Sequence, residues 1–133
     1  GLSFMDELIG QVAEKLNIDV DAAERPVGIL LSLVKSHGDQ NKVGELFEKM
    51  PGAGELAAQY GSEEGRSGGL FGMLGGGLMG APLAALAKLQ ATGLDMQQIK
   101  TLGRTVLGYA RENAGEDLVR QVTSSIPGLN SYL

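Results

Sequence analysis

Apolar residues recur at helical spacing along most of the chain. The first series predicts a helix with one buried face, made by Phe4, Leu8, Ile9, Val12, Ala13 and Leu16. Ser3 is placed to cap this helix, with Asp6 three residues on. The second series predicts a helix that begins at Asp19 or Asp21 and stops at Gly38, with Val20, Ala23, Val27, Leu30, Leu31 and Val34 inward. Pro26 lies inside this series, so a kink or an irregular first turn is expected there.

The same pattern continues beyond Gly38. Asp39 is expected to cap a third helix, which ends at Pro51-Gly52 and points Val43, Leu46, Phe47 and Met50 inward. A short helix over Glu55 to Tyr60 follows. Further along, a helix is predicted from Leu94 or Asp95 to about Asn113. A last helix, ended by Pro127-Gly128, carries Leu118, Val119, Val122 and Ile126.

The two ends of the chain resemble each other after a constant shift. A shift of 76 residues places Asp19 on Asp95 and Leu31 on Leu107, and it also overlays the two Pro-Gly pairs. Between these anchors, most replacements keep their physical character. Amphipathic helices share periodicity anyway, but that explanation does not account for the coincident Pro-Gly stops. The pattern predicts two repeat-like halves, over about 16–57 and 92–133.

A glycine-rich segment over residues 61–87 separates these halves, and it has no charged residue from Ser67 to Ala87. Small residues recur there every four positions, which would give a helix a groove that another backbone can approach, although Pro82 breaks a long helix. With one aromatic residue, they form the candidate interaction segment: Gly68, Phe71, Gly72, Gly76, Gly80 and Ala84. Three interpretations stay open: a central segment enclosed by the repeats, a surface that pairs with a second copy, or a segment that enters a membrane.

These elements predict an all-α fold. We expect a single domain over 1–133, a compact helical bundle of six to eight helices in which two similar helix-pair repeats surround the glycine-rich segment. Aromatic residues make up only 5% of the chain, so the core must be built from aliphatic side chains, methionine and alanine, which suits packed helices.

Composition narrows the function classes. The formal net charge of −5 and the lack of a basic stripe argue against nucleic-acid binding. The absence of cysteine leaves no disulfide and no thiolate nucleophile. The first residues lack the pattern of a signal peptide, which favours a cytoplasmic location, and an exported or periplasmic one stays open if a leader has been removed.

Several short motifs together resemble a known family. They are the run from Leu16 to Asp19, the apolar helix through Leu30-Leu31, the run from Met50 to Leu56 and the glycine-rich middle. The chain resembles the bacterial VcgC/VcgE-type family, domain of unknown function 2780, over roughly residues 8 to 133. The resemblance implies a bacterial protein without an established activity and brings no catalytic residue. It also implies that some similar proteins are exported.

No residue pattern identifies a reaction. His37, the one histidine, has Ser36 and Asp39 as sequence neighbours, but neighbours at a helix end do not face each other as nucleophile and base. The acidic run Asp19, Asp21 and Glu24 lacks the glycine and the terminal acidic ligand of a calcium loop, and helix capping explains it. The triple glycine at 75–77 lacks the Lys-Ser or Lys-Thr of a phosphate loop.

We therefore predict no catalytic, cofactor-binding or metal site. The favoured function is a non-catalytic protein-interaction or scaffold domain, with an unknown protein or a second copy of the chain as its partner. One alternative is a membrane-associated protein that uses the glycine-rich segment. The other is an enzyme whose site forms only in three dimensions.

Overall fold

The computed structural model describes residues 3–60 and 80–126, and in the second range it describes side chains from Leu86 onward. Seven helices make up these ranges, and no strand occurs in them: α1 (Phe4–Leu16), α2 (Val20–His37), α3 (Gln40–Glu48), α4 (53–60), α5 (Gly80–Ala91), α6 (Met96–Ala114) and α7 (Glu116–Ser124). The predicted all-α bundle of six to eight helices is confirmed.

Three helices begin where short polar side chains satisfy free backbone N–H groups. The Ser3 hydroxyl accepts the N–H of Asp6 at 3.2 Å, and the Asp6 carboxylate accepts the N–H of Ser3 in return. Asp95 forms the same reciprocal pair with Gln98. Asp39 accepts from two backbone N–H groups of α3. The caps predicted at Ser3 and Asp39 are confirmed, and Asp95 is one of the two starts predicted for α6, because capping depends on residues that lie within one turn.

Two prolines lie inside helices without breaking them. α2 continues past the buried Pro26, and its first turn is regular, since the N–H of Ala23 donates to the Asp19 carbonyl at 3.0 Å. The expectation of an irregular first turn is therefore wrong, whereas its alternative, a kink at Pro26, stays a prediction. Pro82 lies within α5, which is helical from Gly80 to Ala91.

Two helix ends also differ from the prediction. α3 ends at Glu48, before Pro51-Gly52, and a tight turn follows in which Met50 donates its N–H to the Phe47 carbonyl. α4 begins at residue 53, two residues before the expected Glu55.

The core is aliphatic and draws on both ends of the chain. The largest fully buried apolar side chains come from the loop after α3 and from α1, α2, α6 and α7: Leu8, Val12, Pro26, Val27, Met50, Leu102, Val119 and Val122. Each Å² of apolar surface removed from water stabilises the folded state by about 25 cal/mol. Burial of this shared core is therefore the main source of stability.

The helix bounds in the second part of the chain follow those in the first at one offset. α2 and α6 begin at residues 20 and 96, and α3 and α7 at 40 and 116, each pair 76 residues apart. α1 precedes the first pair of this comparison and α5 precedes the second, so the described helices include two sets of three, α1–α3 and α5–α7. Superposition of the two sets of helices stays a prediction.

The two sets of three helices interlock. α1 packs against both α2 and α6, α5 packs against both α2 and α6, and α3 packs against α7. The first helix of each set thus contacts the second helix of the other set. Such a pattern is what an approximate two-fold arrangement of the sets would produce.

Polar contacts add to this packing across the two sets. The Tyr109 hydroxyl donates to Oε2 of Glu7 at 3.1 Å, and its ring lies edge-on to Phe4 with centroids 4.9 Å apart. Burial of the phenol, the hydrogen bond to Glu7 and the nearby carboxylates together raise the pKa of Tyr109 above 10.0. Ser125 accepts the backbone N–H of Asp39 at 2.8 Å.

Candidate functional site

Most of the predicted interaction segment lies outside the described residues. Gly68, Phe71, Gly72 and Gly76 fall in the range 61–79, outside those residues. Gly80 is the first residue of α5, and Ala84 lies within that helix. The prediction that this segment binds a partner stays a prediction.

The other residues tested for chemistry lie at separate helix ends. His37 is the last residue of α2. Asp19 is the N-cap residue of α2 but makes no side-chain cap bond, so only its position, and not its expected side-chain bond, is confirmed. Within residues 3–60 and 80–126, no group of three or more His, Asp or Glu side chains could hold a metal ion.

A groove that the sequence did not reveal lies between α1, α2 and α4. Its cavity volume is about 390 Å³, and its walls mix apolar and acidic side chains: Ser3, Phe4, Met5, Asp6, Ile9, Glu24, Pro51, Gly52, Glu55, Leu56 and Gln59. We call it the acidic groove. Its volume lies in the range of about 300–1,000 Å³ that small-ligand and side-chain pockets occupy.

Local sequence features place the α1 side of this groove. The reciprocal cap between Ser3 and Asp6 starts α1 at the rim and holds the Asp6 carboxylate there. Met5 and Ile9 are buried on the inner face of the same helix, with only 8% and 7% of their surfaces exposed. α1 thus contributes a polar rim and an apolar floor.

The turn before α4 comes close to α1 because it contains glycine. Gly52 has a φ of +91°, a left-handed conformation that side chains with a Cβ rarely adopt. A Cβ at this position would also lie 2.7 Å from Cγ of Met5. Glycine therefore lets the Pro51-Gly52 turn form the wall of the groove.

The far end of α4 is held against α2 by a second close approach. The ring of Tyr60 lies over Gly28, and a Cβ added at Gly28 would lie 2.9 Å from the ring atom Cγ. Gln59, the neighbour of Tyr60, lines the groove. The packing of Tyr60 on Gly28 therefore positions the wall that α4 provides.

The charge of the acidic groove has a single sign. Asp6 on α1, Glu24 on α2 and Glu55 on α4 contribute carboxylates, and none of the described residues that line it is Lys, Arg or His. Asp6 and Glu55 are exposed, and Glu24 is half-buried. Three carboxylates around an apolar floor make a surface that favours cations with an apolar part.

A second hollow, of about 520 Å³, lies between α3 and the junction of α6 with α7. Its lining carries both signs of charge, with Lys42 and Lys49 facing Glu45 and Asp117. Asp117 also pairs with Arg120 at 3.5 Å, and both side chains are largely exposed. Such solvated pairs contribute little binding energy, so this hollow is the weaker candidate.

None of the described helices has the length and the apolar character that crossing a bilayer requires.

Sequence reasoning missed the acidic groove because its parts are far apart along the chain. Glu24 and Glu55 are separated by 31 positions and lie on different helices (55 − 24 = 31). Each carboxylate alone is typical of a cap or a solvated helix face. The one signal in the sequence is the run from Met50 to Leu56, which contains the Pro51-Gly52 turn and Glu55.

Comparison of the chain with protein-family models, curated proteins and solved structures gives no match. The resemblance to the VcgC/VcgE-type family therefore stays a prediction.

Proposed function

We propose that this protein is a non-catalytic protein-interaction domain and that the acidic groove is its docking site. The observation that carries the proposal is the groove itself, in which three carboxylates rim a floor made of buried apolar side chains and the half-buried ring of Phe4. A protein-interaction site typically joins an apolar centre to a polar rim in this way.

The position of the groove supports this role. Two of its three wall helices are anchored by buried side chains that also line the groove, Met5 and Ile9 of α1 and Leu56 of α4. A docking surface on rigid elements loses little conformational entropy when a partner binds. The partner would thus meet a preformed surface.

Selection of random peptides displayed on phage, using the whole folded chain as bait, tests the proposal. Selected peptides are then titrated into ¹⁵N-labelled protein and followed by NMR. We expect amide shifts in two regions, Ser3 to Ile9 and Pro51 to Gln59. The amides around the second hollow, near Gln121, serve as the control, and their resonances should not shift.

Two results would overturn the proposal. One is that no peptide is enriched by the selection. The other is that enriched peptides shift amides only outside the acidic groove. A Gln59→Trp variant, which places a large side chain at the groove, should weaken binding of a selected peptide while leaving the far-UV circular dichroism spectrum unchanged.

A further inference from the structure

We propose that the occupant of the acidic groove is a basic segment of another protein, one that presents Lys or Arg next to an apolar anchor side chain. This inference rests on the proposed function and adds the chemistry of the partner. It is carried by charge complementarity together with the apolar floor.

The first argument is electrostatic. Three carboxylates from three helices surround the groove, and no basic side chain among its described lining offsets them. The chain as a whole carries a formal charge of −5, which extends the attraction for cations beyond the groove. An approaching basic segment is therefore steered towards this face, whereas an acidic one is repelled.

The spacing of the carboxylates selects the kind of cation. Asp6, Glu24 and Glu55 line one groove but do not form a group that could hold a metal ion, since no such group exists in the described ranges. Carboxylates spread around a cavity suit charges that are also spread, such as several Lys or Arg side chains on one peptide. The geometry thus favours a peptide over a divalent ion.

The apolar floor sets the second requirement. Ile9 and Leu56 lie at the floor, and the half-buried ring of Phe4 lines the same groove. An apolar anchor side chain can bury against Ile9 and Leu56, and the carbon stem of Lys or Arg can pack on the ring. A highly charged peptide without an apolar residue would leave these apolar side chains in contact with water.

The glycine-rich segment of the chain itself is a poor match for this groove. Residues 61–87 carry one basic side chain, Arg66, against two acidic ones, Glu63 and Glu64, and residues 67–87 carry no charge, so the segment has no net positive charge to set against the three carboxylates. Charge complementarity therefore favours a separate partner over this internal segment.

Fluorescence anisotropy with short labelled peptides tests the inference on the whole chain. The main probe alternates lysine with leucine. A second peptide has glutamate in place of lysine, and a third has glycine in place of leucine. We expect the lysine and leucine peptide to bind best, with an affinity that falls as salt is raised, because the Debye length shrinks from about 10 Å at 0.1 M to about 3 Å at 1 M.

The decisive variant is Glu24→Gln combined with Glu55→Gln. Each exposed ion pair contributes up to about fivefold in affinity, so the double variant should bind the main probe about tenfold more weakly and with less salt dependence. Asp6 is left unchanged because its carboxylate also caps α1. The matched control is Glu14→Gln with Glu112→Gln, which makes the same change in charge at exposed positions outside the groove lining and should leave binding unchanged.

The outcomes separate the two proposals. Equal loss of affinity in the groove variant and in the control would show a general charge effect and overturn the inference. Binding of a phage-selected peptide without basic residues, at the same groove amides, would also overturn the inference but leave the proposed docking site standing. If no peptide of any class binds, both are lost.

Discussion

The close approach of Tyr60 to Gly28 predicts that the effect of a glycine-to-alanine substitution depends on the residue at position 60. Gly28 lies in the interior of α2, and the three atoms nearest to an added Cβ all belong to the Tyr60 ring. Two of them, Cε2 and Cγ, would be 2.8 and 2.9 Å away, so the ring as a whole must move. The closest obstacles to alanine therefore all belong to one side chain.

Two opposing effects set the magnitude. Alanine stabilises a helix interior by about 1 kcal/mol relative to glycine. Forcing an extra carbon into a packed contact costs about 1–3 kcal/mol. Gly28→Ala should therefore destabilise the wild-type protein by about 1 kcal/mol. In a Tyr60→Ala background the obstacle is gone, and the same change should stabilise by about 1 kcal/mol, which gives a coupling energy of about 2 kcal/mol.

Urea denaturation followed by far-UV circular dichroism measures all four proteins of this cycle. Gly44→Ala in α3 is the matched control, because an added Cβ there meets nothing within 4 Å and should stabilise by up to about 1 kcal/mol in either background. If Gly28→Ala stabilises the wild-type protein as much as it stabilises the Tyr60→Ala variant, the argument that Tyr60 fixes α4 against α2 is refuted.

Three further predictions rest on single polar contacts. In urea denaturation, Asp95→Ala should lower the free energy of unfolding by about 1 kcal/mol, because the Asp95 side chain caps α6. Asp19→Ala should lower it much less, because Asp19 makes no side-chain cap bond, and equal losses would contradict this reasoning. Ser125→Ala removes the acceptor for the first backbone N–H before α3 and should cost about 1 kcal/mol, while an unchanged midpoint would show that water replaces it. The pKa of Tyr109, measured by phenolate absorbance, should lie above 10.0 and should fall in a Glu7→Gln variant. Because the folded state raises this pKa, the stabilisation from the neutral phenol is complete below pH 10 and is lost as the pH rises through the folded-state pKa. A pKa that stays the same in the variant would exclude Glu7 as a cause.

Local features of the fold could be predicted from sequence, and features that join distant segments could not. Ser3, Asp39 and Asp95 mark helix starts because each bonds to backbone only two or three residues away. The 76-residue offset was visible because matched apolar positions recur along the sequence.

The acidic groove escaped prediction for a different physical reason. A cavity is a property of how helices are spaced, and helical periodicity gives only the face that each helix buries. Glu55 illustrates the difference, because its exposure in α4 is expected from the pattern, whereas its position opposite Asp6 depends on the left-handed turn at Gly52. Glycine at 52 could be read from the sequence, but its conformation could not.

The interlocked packing of the two helix sets has a consequence for how the chain folds. α1 contacts α6, α5 contacts α2 and α3 contacts α7. The apolar faces of each set therefore stay exposed to water until the other set packs against them. Because both sets belong to one chain, each is held at a high effective concentration around the other. Unfolding should accordingly be a single cooperative event, and two separate pieces of the chain should assemble only at concentrations high enough to replace the covalent connection.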